Sequence, residues 1–178
     1  ELVRGKLLAS LLLVLVLTAA ALPAFMITAL LGGVSFGQIA RVFAVTVATT
    51  IACGSLGSTL ALWREKTFQS LAMTVLAIVA WLAAWEAVAA GAFGTVLAGI
   101  PADALAAGFS PWQAILEATR PYVEPEPALG VFGTPVYLFL VSAVVGSVLL
   151  NGLAIAMVRV WNPSREIQRV PPDAQAER

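Results

Sequence analysis

Residues 42–85 read VFAVTVATTIACGSLGSTLALW, then REK, then TFQSLAMTVLAIVAWLAAW. Two long uncharged apolar runs meet at one cluster of three charges, Arg64-Glu65-Lys66. A bilayer span needs about 20 predominantly apolar residues. Two spans joined by a tight polar turn are the simplest reading. The same pattern extends outward in both directions. No charge occurs from Leu7 to Ala40 or from Pro127 to Val158. Spans are therefore expected at about 7–31, 40–62, 67–91 and 135–159, with an intervening segment over 92–134. The predicted fold class is an all-α polytopic membrane helix bundle.

Composition agrees. The apolar fraction is 60% and charged residues make up 11%, against about a quarter in a soluble domain. Mean hydropathy is +0.93. Such a chain needs lipid as solvent, and helices satisfy their own backbone there. Zero net charge gives a nucleic-acid partner no electrostatic support. There is no His and one Cys, Cys53. Histidine general-base chemistry, Cys/His metal sites and an intrachain disulfide are excluded on inventory. Cys53 reads as a small packing residue.

Local signals support the boundaries. Gly32-Gly33-Val34-Ser35-Phe36-Gly37 breaks the first run. Pro135 suits a first helical turn, and Pro163 cannot continue a helix. Pro23 lies inside the first span and is expected to kink it, freeing a carbonyl near Ala19. Arg4, Lys6, Leu7–Leu17 and Ala19-Ala20-Ala21 imitate a signal peptide, but the apolar run continues to Leu31. The first run is accordingly read as a span.

Basic residues orient the bundle. With both termini in the cytoplasm, Arg4, Lys6, Arg64, Lys66, Arg159, Arg165, Arg169 and Arg178 all fall inside, and Arg41 and Arg120 outside. The segment 92–134 is then external. Within it, Ser110-Pro111-Trp112-Gln113 reads as a helix start, with Ser110 as cap and Gln113 closing a capping box. The helix is expected to reach Thr119, with Trp112, Ile115 and Leu116 on one apolar side at the membrane surface. Phe93–Ala107, interrupted by Gly94, Gly99 and Pro101, reads as a broken or re-entrant element. Pro121–Pro127 reads as an extended linker, and the polar tail 163–178 as disordered.

Few residues offer chemistry. Glu86 is the carboxylate inside a predicted span. It sits near Trp81 and Trp85, so an interfacial role is favoured over a substrate path. Asn151, beside Gly146, Ser147 and Gly152, reads as interhelical hydrogen-bond glue ahead of a ligand contact. Thr50, Gly54 and Ser58 place small residues every four positions and suggest a close-packing face, within the chain or toward a second copy. Gly54-Ser55-Leu56-Gly57 lacks the Lys of a nucleotide-binding loop. No catalytic, cofactor-binding or metal-binding residue is expected in this chain.

Several short motifs carry a family resemblance. Glu1-Leu2-Val3-Arg4-Gly5-Lys6-Leu7-Leu8-Ala9 resembles the end of the cytoplasmic coupling segment of bacterial ABC-2 type transporter permeases. Leu31-Gly32-Gly33-Val34-Ser35 resembles their short outer turn. Cys53–Ser58 followed by Leu62-Trp63-Arg64-Glu65-Lys66-Thr67 resembles their small-residue helix, basic turn and third helix. Ser110-Pro111-Trp112 and Val158–Glu166 resemble the late outer segment and the exit from the last helix. The resemblance implies a permease subunit in the cell inner membrane, paired with a second permease as a homodimer or heterodimer. It implies a separate ATPase chain that uses ATP and couples through Arg4, Gly5, Lys6, Arg64, Glu65 and Lys66. It also implies two further spans upstream of Glu1. The alternative is a non-transporting membrane scaffold or accessory protein.

Overall fold

The computed structural model describes residues 12–63, 67–122 and 125–161. Among the described residues, four helices are long and apolar enough to cross a membrane. They are α1 (Leu12–Leu30), α2 (Phe36–Trp63), α3 (Thr67–Ala89) and α6, which runs Pro135–Trp161. Between α3 and α6 lie a two-residue hairpin, β1 (Val96–Leu97) and β2 (Ile100–Pro101), and two short helices, α4 (Ala102–Phe109) and α5 (Pro111–Ala118). A 3-10 turn over Pro127–Phe132 leads into α6. The expected polytopic all-α bundle is what the chain forms.

Pro23 acts as its chemistry requires. The helical ladder of α1 is interrupted at Ala21, and a fresh helix Leu22–Leu30 begins with Pro23 in its first turn. Proline has no N–H to offer the carbonyl of Ala19. The end of α1 is closed by Gly32, at φ +79°, whose N–H bonds the Ala29 carbonyl while that of Gly33 reaches Thr28. This pair of bonds is the left-handed helix stop that glycine makes cheaply.

Helix α2 starts four residues before the predicted boundary at 40. Ser35 and Gln38 form a reciprocal capping box: Ser35 Oγ accepts from the Gln38 N–H at 3.2 Å, and Gln38 Oε1 accepts from the Ser35 N–H at 2.8 Å. Arg41 therefore lies more than a turn inside the helix.

The core joins α2, α6 and α5. Val45 and Ala48 of α2 pack with Val136, Phe139 and Ala143 of α6 and with Ala114 and Ala118 of α5. Further along, Ser55 of α2 meets Asn151 of α6. Residue numbers rise together on both helices, so α2 and α6 run parallel. The buried α6 positions Val136, Phe139, Ala143, Ser147 and Ala154 recur at intervals of three, four and seven, the spacing that keeps one helix face on a partner. The opposite face of α6, with Val141, Val144, Val145, Val148, Leu149 and Ile155, is exposed. No residue in the most apolar stretch of α1 or α3 is buried.

The described residues of the segment 92–134 do not cross the bundle. They form a cap at the end of the spans that holds Arg41. The apolar stretch expected to be broken or re-entrant becomes the β1–β2 hairpin, turning through Ala98 and Gly99 at φ +51° and +83°, and then α4. Gly108 lies so close to Leu138 of α6 that an added Cβ would come within 2.8 Å of Leu138 Cγ. Gly108 is what lets α4 sit directly on α6 at this point, and Ala102, Ala104, Ala106 and Ala107 of the same helix are buried with it.

Helix α5 corrects two expectations. Its inward face is Ala114 and Ala118, both fully buried, with Ile115 half-buried beside them. Of the apolar side expected at the surface, Trp112 and Leu116 are exposed, and Ile115 turns to the core instead. Ser110 does cap the helix, but weakly, accepting from the Gln113 N–H at 3.5 Å. The Gln113 side chain does not close a capping box, because the Ser110 N–H is already bonded to the Ala106 carbonyl at 2.7 Å. The predicted linker Pro121–Pro127 includes residues 123 and 124, which lie outside the described residues, as does the tail 163–178.

Candidate functional site: an interhelical polar seam and a latched cap

The first cluster lies along the α2–α6 contact. Asn151 Nδ2 donates to Ser55 Oγ at 2.9 Å and to the Ser147 carbonyl of its own helix at 2.8 Å. One turn on, Thr59 Oγ1 lies 2.8 Å from the Ser55 carbonyl and 3.3 Å from the Leu150 carbonyl of α6. Ser55, Thr59 and Ser147 are buried and Asn151 is half-buried. In hydrocarbon an unpaired amide is costly, so each partner holds the other in register. Asn151 thus makes a hydrogen bond between the two helices. On α2, Thr50, Gly54 and Ser58 are half-buried, whereas Ser55 and Thr59 of the adjoining stripe face α6. Thr50 borders two crevices, and Ser58 Oγ bonds the Ser55 carbonyl at 2.9 Å.

The second cluster ties the cap to the spans. Glu86, near the end of α3, accepts from Gln113 Nε2 at 3.0 Å on both carboxylate oxygens. Trp81 Nε1 donates to the Phe109 carbonyl at 3.0 Å, and Trp85 stacks on the Phe109 ring with centroids 5.1 Å apart. Ser142 Oγ of α6 donates to the Gly108 carbonyl at 2.9 Å. The last carbonyls of α4 lack partners within the helix, and side chains from α3 and α6 supply them.

The carbonyls at the end of α5 are served by α2. Arg41 Nε reaches Ala118 at 3.4 Å, Arg41 Nη2 reaches Arg120 at 2.6 Å, and Gln38 Nε2 reaches Thr119 at 2.6 Å. A guanidinium at a helix C-terminus also meets the negative end of the helix dipole. This anchor was not anticipated. Its sequence signal is Gln38 and Arg41, three apart on one helix face at the membrane boundary.

Between α2, α3 and α5 runs a groove of about 330 Å³, lined by Val45, Thr46, Thr49, Thr50, Leu82, Pro111, Trp112 and Ile115. Its three threonine hydroxyls each bond a carbonyl of the preceding turn, at 2.8 to 2.9 Å. What they present to the groove is largely methyl surface. A second crevice of about 250 Å³ separates α1 from α2. Both suit hydrocarbon rather than a charged molecule. Among the described residues, no group of three His, Cys, Asp or Glu side chains gathers to hold a metal. The coupling candidates Arg4, Gly5, Lys6, Arg64, Glu65 and Lys66 lie outside the described residues.

Four apolar helices, an interhelical polar seam and a cap sealed by side-chain bonds define a membrane protein of the helix-bundle class. Comparison with protein-family models, with curated proteins and with solved structures found no match.

Proposed function

We propose that this chain is the transmembrane permease subunit of an ATP-driven ABC-2 type transporter of a bacterial inner membrane, powered by a separate ATPase chain. The observation that carries the reading is the order of parts along the sequence. Gly5-Lys6-Leu7 opens the first span, and Leu31–Ser35 makes a short turn. A small-residue helix then runs into Arg64-Glu65-Lys66 and a third helix, and a capped segment precedes the last span. Eight of ten basic residues fall on one side when both termini are cytoplasmic, which puts the cap outside. The ATPase then meets Arg4, Gly5, Lys6 and the 64–66 turn, and the permease pairs with a second permease. ATP is bound by the partner, and this chain holds no cofactor. Glu86 and Asn151 border the path or its packing.

A second reading has one observation in its favour. Asn151, Ser55, Thr59 and Glu86 all direct polar atoms to a neighbouring element, which is how a non-transporting scaffold or accessory protein would use them.

Purification of the full-length tagged protein from its native membrane separates the two. A permease brings down a P-loop ATPase, and Arg4→Glu with Lys6→Glu abolishes stimulation of its ATP hydrolysis. Absence of any ATPase partner, together with no ATP-dependent flux in proteoliposomes, leaves the scaffold reading.

A further inference from the structure

The cap, α2 and α6 form one packed unit. Ala114 and Ala118 of α5 are fully buried against Val45, Ala48, Val136 and Phe139. Arg41 and Gln38 hold the far end of α5, and Ser142 holds the end of α4. Helix α3 joins this unit differently. Among its described side chains Ser70 alone is buried. Along its length it touches α2 where Gly57 faces Thr74, an added Cβ there lying 3.6 Å from Thr74 Cγ2. At the cap end it is attached by Glu86–Gln113, by Trp81 on the Phe109 carbonyl, and by the Trp85–Phe109 stack. The groove of about 330 Å³ lies between α3 and the unit, and Leu82, one turn before Glu86, is the residue that α3 contributes to its wall.

These attachments differ in kind. The unit is held by interdigitated buried side chains, which do not deform gradually. The cap end of α3 is held by one aromatic stack, Trp85 on Phe109, and by hydrogen bonds from half-buried or exposed groups, which water or headgroups can replace at small net cost. Weakly buried, polar-tethered elements are those that open first. We infer that α3 is a lateral gate, latched at the cap by Glu86 and Gln113. Release of the latch swings the cap end of α3 away from α5 and opens the groove to the hydrocarbon of the bilayer. The gate does not depend on ATP-driven transport, and its test uses no nucleotide.

The test is a pair of spin-label distances in the full-length protein in phosphatidylcholine nanodiscs, with Cys53→Ser as background. One pair, Ala84→Cys with Leu116→Cys, uses exposed positions on α3 and α5 and reports the gate. The other, Ile51→Cys with Val144→Cys, uses exposed positions on α2 and α6 and reports the unit. Gln113→Glu, which sets two carboxylates against each other, adds a longer α3–α5 distance to the distribution. Gln113→Ala does so to a smaller extent. The exchange Glu86→Lys with Gln113→Glu restores the short distance. The α2–α6 distribution stays unchanged throughout. An α3–α5 distribution indifferent to Gln113→Glu overturns the gate. Equal broadening of both pairs also overturns it, because the bond is then a general fold contact.

Discussion

Asn151 on α6 and Ser55 on α2 stand 96 positions apart in the chain and are joined by a 2.9 Å hydrogen bond between parallel spans. The same amide bonds Ser147 of its own helix, so its direction is set before the partner arrives. Replacing either residue by Ala should weaken the bundle. Interhelical hydrogen bonds in membranes average about 0.6 kcal/mol and reach ~1.7 kcal/mol in double-mutant cycles. A cycle over Asn151→Ala and Ser55→Ala, read by denaturant unfolding in mixed micelles, should return a coupling in that range. A coupling of zero would mean that the two side chains act separately.

Arg41 should be the dominant anchor of the cap. Arg41→Ala removes donors from two carbonyls of the α5 terminus and should cost about 1–2 kcal/mol, because hydrogen bonds to charged groups exceed neutral ones. Arg41→Lys should recover a fraction, since an ammonium lacks the planar fork. Hydrogen exchange of the amides over 114–120 is the measurement, and faster exchange confined to that stretch is the expected result.

Gly108 should tolerate nothing larger. A Cβ there meets Leu138, and Gly108→Val should cost about 1–3 kcal/mol by overpacking. Leu138→Ala should partly rescue Gly108→Ala, because it empties the space the new methyl needs. Thermal unfolding of the single and double variants in one detergent checks both statements. An additive double variant would contradict the contact.

Pro23→Ala should heal the break in α1. The new N–H can reach the Ala19 carbonyl and continue the ladder through Ala21, and removing a proline from a helix interior is worth up to ~3 kcal/mol locally. Amides around residue 21 should gain exchange protection. Unchanged protection would show that the break is imposed by packing rather than by the ring.

The spans were legible because hydrocarbon imposes a length and a composition that charge-free runs report directly. The break at Pro23 and the role of Asn151 were legible for similar reasons, since one residue carries the whole physical argument. The start of α2 lies four residues before the expected one because the Gly-rich turn hides the first helical turn, Phe36–Ile39. A long guanidinium can stay inside a helix when carbonyls such as those of Ala118 and Arg120 receive it. The capping box of Ser35 and Gln38 was readable as Ser-x-x-Gln but was masked by the adjoining Gly-rich turn. On α2 the stripe Thr50, Gly54 and Ser58 and the neighbouring Ser55 and Thr59 are similarly small. Which of the two stripes is buried depends on where α6 lies, and no local pattern encodes that. Gln113 bonding Glu86 rather than Ser110 was hidden for the same reason: the competing donor, the Ala106 carbonyl's partner Ser110 N–H, is committed only once α4 and α5 meet at their sharp corner.

The parallel pairing of α2 with α6 has a consequence for biogenesis. Ser55 and Thr59 leave the ribosome roughly ninety residues ahead of Leu150 and Asn151, the groups they join. During that interval α2 waits beside the translocon with its eventual mate still unmade. Thr59 can meanwhile turn its hydroxyl to the carbonyl four residues back, which keeps it tolerable in lipid. A nascent chain arrested before residue 135 should therefore insert α2 yet fail to lock it, and quality-control proteases would meet that half-built bundle first.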